Sequence, residues 1–317
     1  MGRFRAAALT LLTATSALMA ADPMPPVYRV DVRLVRLLAT VKDEYGRLVG
    51  SLAKEDFAVF DNGVKQEVAI FERRTEQPLS VALLIDTSGS TAKELRYEID
   101  SVHRFLRALF GEGNPEDAAA IYSFNYDVTR KAPFTRQLSV LERSLKGLKA
   151  EAGTSLYDAI FLAAQEIQNR EGRHVIVVIT DGGDTTSVKS YHAALEGAQR
   201  ADAVLYAVLV MPITNDAGRN IGGENALLAM TAATGGRVFT PSLGAELDNA
   251  FNEILADLRT QYLIGYYPRN VPPSKDRFHR VEVQVSRPGL RVIARSGYYG
   301  DAERLSPADT PARTRIP

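Results

Sequence analysis

Carboxylate and hydroxyl side chains cluster in three short segments, two of which follow apolar runs and one of which precedes a predicted helix. They occur in "LLIDTSGS", "EAGTS" and "VVITDGGD", and they are Asp86, Ser88, Ser90, Thr154 and Asp181. Side chains that offer only oxygen suit a hard divalent cation such as Mg²⁺, with Mn²⁺ and Ca²⁺ as alternatives. The chain has no cysteine and only four histidines, which argues against the usual zinc, copper and iron sites. The residue types therefore favour a divalent cation site.

The charges in this set indicate what such a cation could do. The three hydroxyl side chains are neutral, and the two carboxylates at most balance the two charges of the ion. If the carboxylates act mainly through water or by orienting the serines, the ion keeps an excess of positive charge. It would then attract an Asp or Glu side chain of another protein. Two alternatives stay open: a metal that only stabilises a scaffold, and, for "DTSGS" taken alone, a turn that caps the helix starting near Thr91.

Strands and helices alternate over residues 78–259, and these elements must position the site. "VALLI", "AAAIYSFN", "HVIVVIT" and "AVLYAVLV" are continuous apolar runs, typical of strands covered on both faces. Between them, apolar residues recur at helical spacing. This order predicts an α/β fold with an open, doubly wound, mostly parallel Rossmann-like sheet and helices on both faces. Ligands bind beyond the carboxyl ends of the strands in such sheets, and the polar residues lie at those ends.

The two flanking segments have the alternating pattern of β-strands. Residues 27–75 contain about four strands, two of them joined at Asn62-Gly63, a strong hairpin signal. Residues 260–300 contain about three. Neither set is large enough for a stable sheet domain, whereas about seven strands match a β-sandwich. We therefore predict that the flanks pair, with the α/β domain inserted between them. The alternative is two small sheets that each pack on the α/β domain.

The ends of the chain predict export. Residues 1–21 have Arg3 and Arg5 before an apolar run and end in two alanines, as in a secretory signal peptide. We expect a periplasmic or secreted protein, which would be tethered to a membrane only if this segment were retained as an anchor. Residues 301–317 lack apolar periodicity and contain three prolines, so we expect a disordered tail.

Several classes of function are disfavoured by composition and motifs. The 317 residues carry 38 basic and 38 acidic side chains, so there is no electrostatic signature of nucleic-acid binding. No phosphate-binding G-x-x-x-x-G-K-[ST] motif is present, which argues against nucleotide hydrolysis. "LLIDTSGS" is superficially similar to an aspartic protease loop, but that fold is all-β. No serine lies in a nucleophile elbow with a histidine partner. We expect a binding protein, with a hydrolase as the less favoured alternative.

Taken in order, "DTSGS", "GTS" and "ITDGGD" resemble the metal-ion-dependent adhesion site (MIDAS) of von Willebrand factor type A (VWA) domains. The signature there is D-x-S-x-S, then Thr, then Asp, and the resemblance covers residues 79–258. All five positions match. The resemblance implies that the serines and the threonine touch the metal, that the aspartates act through water, and that a carboxylate of a protein partner completes the octahedron. It therefore implies metal-dependent protein binding or adhesion.

The flanks carry a second resemblance. "EDFAVFDNGVKQEV", "YLIGYYP" and "ARSGYY" are similar to segments of a bacterial group of exported proteins built around a VWA domain.

Two further aspartates lie close to these motifs. We expect Asp158 in the first turn of the helix "SLYDAIFLAAQEIQNR", where a negative charge is favourable. We expect Asp184 in the loop after "HVIVVIT", outside the cation site.

Overall fold

The computed structural model describes residues 34–73, 76–210, 220–272, 274 and 276–300. The predicted signal peptide, the beginning of the N-terminal β-segment and the predicted disordered tail lie outside the described residues. No helix in the described part of the chain is long and apolar enough to cross a membrane.

Four strands precede the α/β domain, as predicted. They are β1 (Val35–Lys42), β2 (Phe57–Asp61), β3 (Val64–Gln66) and β4 (Val68–Glu72). A tight turn joins β2 to β3, and both of its central residues, Asn62 and Gly63, have positive φ angles, 46° and 79°. Asn-Gly is the residue pair that tolerates this left-handed backbone best, so the hairpin predicted from the sequence is confirmed.

The α/β domain contains six strands and six α-helices among the described residues. They are β5 (Leu79–Asp86), α1 (Leu95–Glu112), β6 (Ala118–Phe124), β7 (Val128–Thr135), α2 (Leu138–Leu145), α3 (Leu156–Ile167), β8 (Arg173–Thr180), α4 (Tyr191–Arg200), β9 (Ala203–Leu209), α5 (Ile221–Thr234), β10 (Val238–Phe239) and α6 (Ala245–Thr260).

The central sheet has the order β10-β9-β8-β5-β6-β7. Every residue of β5, β6, β8 and β9 is buried, because helices cover both faces of these strands. Helices α1, α2 and α6 pack on one face, around residues such as Leu83, Leu106 and Phe251. Helices α3, α4 and α5 pack on the other, around residues such as Leu84 and Ile160. The predicted doubly wound, mostly parallel sheet is confirmed.

The strand β7 was not predicted from the sequence. Its segment, "VTRKAPFT", is polar, contains a proline and pairs antiparallel with β6 at the edge of the sheet. An edge strand needs neither two apolar faces nor a complete set of backbone donors, so its sequence carries a weak strand signal.

Both flanks contribute strands to each of two antiparallel sheets. The strands after the α/β domain are β11 (Tyr262–Tyr266), β12 (Phe278–Val285), β13 (Arg291–Ala294) and β14 (Gly297–Tyr299). One sheet has the order β13-β1-β11-β4 and the other β14-β12-β2-β3. Leu37 and Tyr262 of the first share a buried cluster with Val59 and Val281 of the second. The flanks therefore form one sandwich, with one more C-terminal strand, the short β14, than predicted.

Candidate metal centre

Asp86 is the last residue of β5, at the carboxyl edge of the central sheet, and its side chain is fully buried. Both of its carboxylate oxygens accept hydrogen bonds. The backbone N–H of Ser88 donates to Oδ1 over 2.8 Å, and the hydroxyl of Thr180, the last residue of β8, donates to Oδ2 over 2.6 Å. The carboxylate is thus fixed between the ends of two neighbouring strands.

Ser88 and Ser90 lie in the turn that follows. Ser88 is extended, with φ −69° and ψ 163°, and a short 3₁₀ turn covers Gly89–Thr91. This geometry brings the two serine Oγ atoms within 3.1 Å of each other. The Thr91 hydroxyl holds the turn by donating to the carbonyl oxygens of Asp86 and Ser88.

The helix-capping alternative for "DTSGS" is wrong in this structure. The side chain of Ser88 makes no capping hydrogen bond to the 3₁₀ turn, and the residue that precedes α1 is Glu94. The two serine hydroxyls therefore face each other and do not satisfy the helix N-terminus.

Thr154 lies on a loop that packs along the serine turn. The N–H of Glu151 donates to the carbonyl oxygen of Thr87 over 2.8 Å, and Glu151 forms a parallel bridge with Ser88. Thr154 itself is buried, and its N–H donates to the hydroxyl of Thr185 over 2.9 Å. Its carbonyl oxygen accepts from the N–H of Thr185 over 2.8 Å. These bonds join the Thr154 loop to the loop after β8.

Asp181 follows Thr180 at the end of β8 and is half-buried. Its negative charge acts on Asp86. Burial is the largest cause that raises the pKa of Asp86, to about 7, and the charge of Asp181 raises it further, whereas the hydrogen bonds from Thr180 and Ser88 lower it. The structure thus brings the loops of all five predicted residues to one edge of the sheet. The two serine hydroxyls meet directly.

Asp158 lies in the first turn of α3 and Asp184 in the loop after β8, as predicted, and each is also bonded to the segment of the other. Asp184 Oδ1 accepts from the N–H of Tyr157 in the first turn of α3, over 3.2 Å. Asp158 accepts from the backbone N–H groups of Val188 and Lys189, over 2.9 and 2.7 Å. Each aspartate therefore stabilises the segment of the other, and both carboxylates are engaged in this loop contact.

Sequence reasoning missed two acidic residues behind the site. Ile99 and His103, which share helical spacing with Leu95 and Leu106 in α1, are only half-buried. The buried face instead includes Glu98, whose side chain is fully buried, and Glu94 precedes the helix and is also buried. Burial and the charges of Asp86, Glu94 and Asp181 raise the pKa of Glu98 well above its usual range. The signal was present: Ser88, Thr91, Glu94 and Glu98 are polar residues at helical spacing.

The residues at this edge fit a hard cation. Neither carboxylate oxygen of the buried Glu98 has a hydrogen-bond partner among the described residues, so negative charge here lacks compensation. No three His, Cys, Asp or Glu side chains in the described part of the chain converge as a set of metal ligands. Ser88 and Ser90 offer two hydroxyl oxygens at this edge, a ligand type that a hard cation accepts.

Residues 81–183 match the family model of the von Willebrand factor type A domain. This match lies within the α/β domain of the chain. No curated protein matches the chain.

Three solved structures are among those to which this chain is similar. An aerotolerance-related membrane protein from Bacteroides fragilis is 20% identical, with 57% of this chain and 98% of that chain covered and a TM-score of 0.44. BatB from Bacteroides thetaiotaomicron is 18% identical, with 57% and 98% covered and a TM-score of 0.46. The vWF domain of the type V pili tip protein Mfa5 from Porphyromonas gingivalis is 15% identical, with 58% and 97% covered and a TM-score of 0.47.

Proposed function

We propose that this protein binds a divalent cation, Mg²⁺ in the first instance, at the carboxyl edge of its central sheet and uses it to bind an acidic side chain of another protein. The observation that carries the proposal is the pair of serine hydroxyls, 3.1 Å apart, beside a buried and oriented aspartate. We also propose that the protein is exported, on the basis of residues 1–21, and that it acts by binding and not by catalysis.

The residues have distinct roles in this proposal. The hydroxyl oxygens of Ser88, Ser90 and Thr154 would touch the cation. Asp86 and Asp181 would act on it mainly through water, because both oxygens of Asp86 already accept hydrogen bonds from the protein. The bound cation supplies a positive charge that neutral hydroxyls do not cancel. An incoming Asp or Glu carboxylate would supply the missing negative charge.

Exposed apolar side chains on the segments at this edge support a protein partner. Tyr126 is 67% exposed, Val188 91% and Ile221 64%. Tyr126 is held beside the Thr154 loop by its N–H, which donates to the carbonyl oxygen of Ala152 over 3.1 Å. Val188 is in the loop after β8, and Ile221 begins α5. Apolar residues around a polar centre are typical of protein-binding surfaces.

Calorimetric titration of the full protein with Mg²⁺ and Mn²⁺ tests the cation site. We expect wild-type protein to bind one ion and the Ser88→Ala, Ser90→Ala double variant to lose most of the affinity, because two ligand oxygens are removed. The matched control is Ser139→Ala, an exposed serine at the start of α2, which should bind as wild type does. Equal affinity in the double variant would contradict the assignment.

Peptide selection tests the partner class. A phage-displayed random peptide library is panned on the immobilised protein in Mg²⁺ and eluted with EDTA. We expect the eluted peptides to be enriched in Asp or Glu, and the enrichment to vanish in the double serine variant. Cation binding that stabilises the fold, without any EDTA-sensitive peptide, would favour the alternative of a structural metal.

A further inference from the structure

We propose that Glu98 is a further residue of the cation site, acting on the bound ion through water from behind the serine turn. This inference rests on the proposed cation site and deepens it. Asp86, Asp181 and Glu98 would then all act on the ion through water, so the oxygens that touch it stay neutral and it can still attract the carboxylate of a partner. Glu98 would allow the site to hold its cation before any partner binds.

The backbone directs Glu98 towards the site. The N–H of Thr91 donates to the carbonyl oxygen of Ser88 over 3.2 Å, that of Glu94 to Thr91 over 3.1 Å, and that of Glu98 to Glu94 over 3.1 Å. Each residue therefore stacks one turn behind the previous one. Residues three or four apart in such a segment share a face, so these four side chains form one stripe that starts at a proposed ligand.

The whole stripe faces the interior. Ser88, Thr91 and Glu94 are each 2% exposed, and Glu98 is 0% exposed. An amphipathic helix normally presents apolar side chains on such a face. A glutamate at this position gives up its hydration and needs either a donor or a cation to compensate.

No compensation for Glu98 comes from hydrogen bonds within the described residues. Both Oε1 and Oε2 are buried without a hydrogen-bond partner. The charges that act on this carboxylate are those of Asp86, Glu94 and Asp181, all negative, so it lies within the field of the proposed site. Neighbouring carboxylates repel one another, and a divalent cation among them removes that repulsion.

The contact with the ion would be indirect. The acidic side chains do not converge as a set of direct metal ligands within the described residues. A carboxylate that does not touch the ion can accept a hydrogen bond from a water molecule on it, and residues in that role contribute strongly to metal affinity.

Titration of Glu98→Gln with Mg²⁺, followed by calorimetry, tests the inference. Glutamine keeps the size of the side chain and removes its charge. We expect affinity to fall by about 10–100-fold, the range found for residues that act on a metal through its bound ligands. In EDTA we expect the melting temperature of the variant to be close to that of wild type, because the raised pKa of the buried Glu98 leaves little charge to remove when no cation is bound. A purely structural glutamate would lower the melting temperature and leave affinity unchanged.

Asp100→Asn is the matched control. It removes one negative charge from the same helix, at an exposed position, and should leave Mg²⁺ affinity unchanged. Glu98→Met, which has similar length and suits a buried site, provides a second variant should glutamine disturb folding. Unchanged affinity in a folded Glu98 variant, or an equal loss in Asp100→Asn, would overturn the inference and leave the proposed function standing. Absence of cation binding in wild type would overturn both.

Discussion

The hydroxyl of Thr180 donates a hydrogen bond of 2.6 Å to Oδ2 of Asp86, inside the protein and between the ends of two adjacent parallel strands. The same hydroxyl oxygen accepts from the N–H of Gly182 over 3.1 Å. One threonine therefore fixes the orientation of the aspartate and the start of the loop that carries Asp181. The two proposed water-mediated residues of the cation site are positioned by a single side chain.

Replacing Thr180 by valine should destabilise the protein and weaken cation binding together. Valine has the same shape but cannot donate, so a buried oxygen of Asp86 loses its partner. We expect the free energy of unfolding to fall by about 1–3 kcal/mol, measured by urea denaturation in EDTA. Thr40→Val is the control: the Thr40 hydroxyl is buried in β1 without a hydrogen-bond partner among the described residues. That variant should be as stable as wild type or more stable, and equal losses in both would contradict the assignment.

The metal-free protein should lose stability as pH rises from about 4 to 7 because of Asp86. Burial raises its folded-state pKa from 3.8 to about 7, so the folded protein holds this proton more tightly than the unfolded chain does. The resulting stability is fully present below pH 3.8 and disappears as pH rises through 7. We expect the difference between wild type and Asp86→Asn, from urea denaturation in EDTA, to change over this range by up to about 1.4 kcal/mol per pH unit. If the free energies of unfolding of the two proteins changed in the same way with pH, the raised pKa of Asp86 would be contradicted.

Gly223→Ala should disturb the loop after β8. A β-carbon at Gly223 would lie 1.4 Å from the carbonyl oxygen of Gly182, so the first turn of α5 or the loop must move. We expect a loss of about 1–3 kcal/mol in the free energy of unfolding and weaker Mg²⁺ binding in calorimetry. The adjacent Gly222 is the control, because its β-carbon would meet only Asn220 Oδ1, at 3.6 Å. Gly222→Ala should be as stable as wild type or more stable, because alanine favours a helix more than glycine does, and a matching loss in it would contradict the close approach as the cause.

Asp257 on α6 should be essential for stability. Its Oδ1 lies 3.1 Å from Nζ of Lys42 in β1, and its Oδ2 accepts from Nε of Arg237 over 2.9 Å. Asp257→Ala leaves the ammonium group of Lys42 and the guanidinium group of Arg237 without this carboxylate. Breaking a buried ion pair in this way lowers the free energy of unfolding by about 3–5 kcal/mol. Glu253→Gln is the control, since Glu253 meets Arg237 at the surface and exposed pairs contribute at most about 1 kcal/mol. Equal melting temperatures of the two variants in thermal denaturation would contradict this expectation.

Much of the architecture could be predicted because its signals are local. Apolar runs such as "HVIVVIT" indicate strands covered on both faces, and Asn62-Gly63 has the backbone preference of a hairpin turn. The convergence of Asp86 and Asp181 on one edge follows from the common direction of parallel strands. Their role in cation binding stays a prediction.

The features that could not be predicted depend on tertiary contacts. The hydrogen bonds between Asp158, Asp184 and each other's segment depend on how the start of α3 packs on the loop after β8, which no spacing in the sequence encodes. Glu98 could not be predicted as a buried residue because a charged side chain in an amphipathic helix normally faces solvent. Only the neighbouring elements bury it.

The pairing of the flanks has a mechanical consequence. Strand β4, which precedes the α/β domain, pairs with β11, which follows it, with Glu72 opposite Leu263. Neighbouring strands lie about 4.8 Å apart, so the domain leaves and re-enters one sheet at almost the same place. Tension applied between residues 34 and 300 would be borne by the sandwich and would not stretch the α/β domain until β4 and β11 separate. A partner held at that edge would remain bound to an unloaded domain while the chain is pulled.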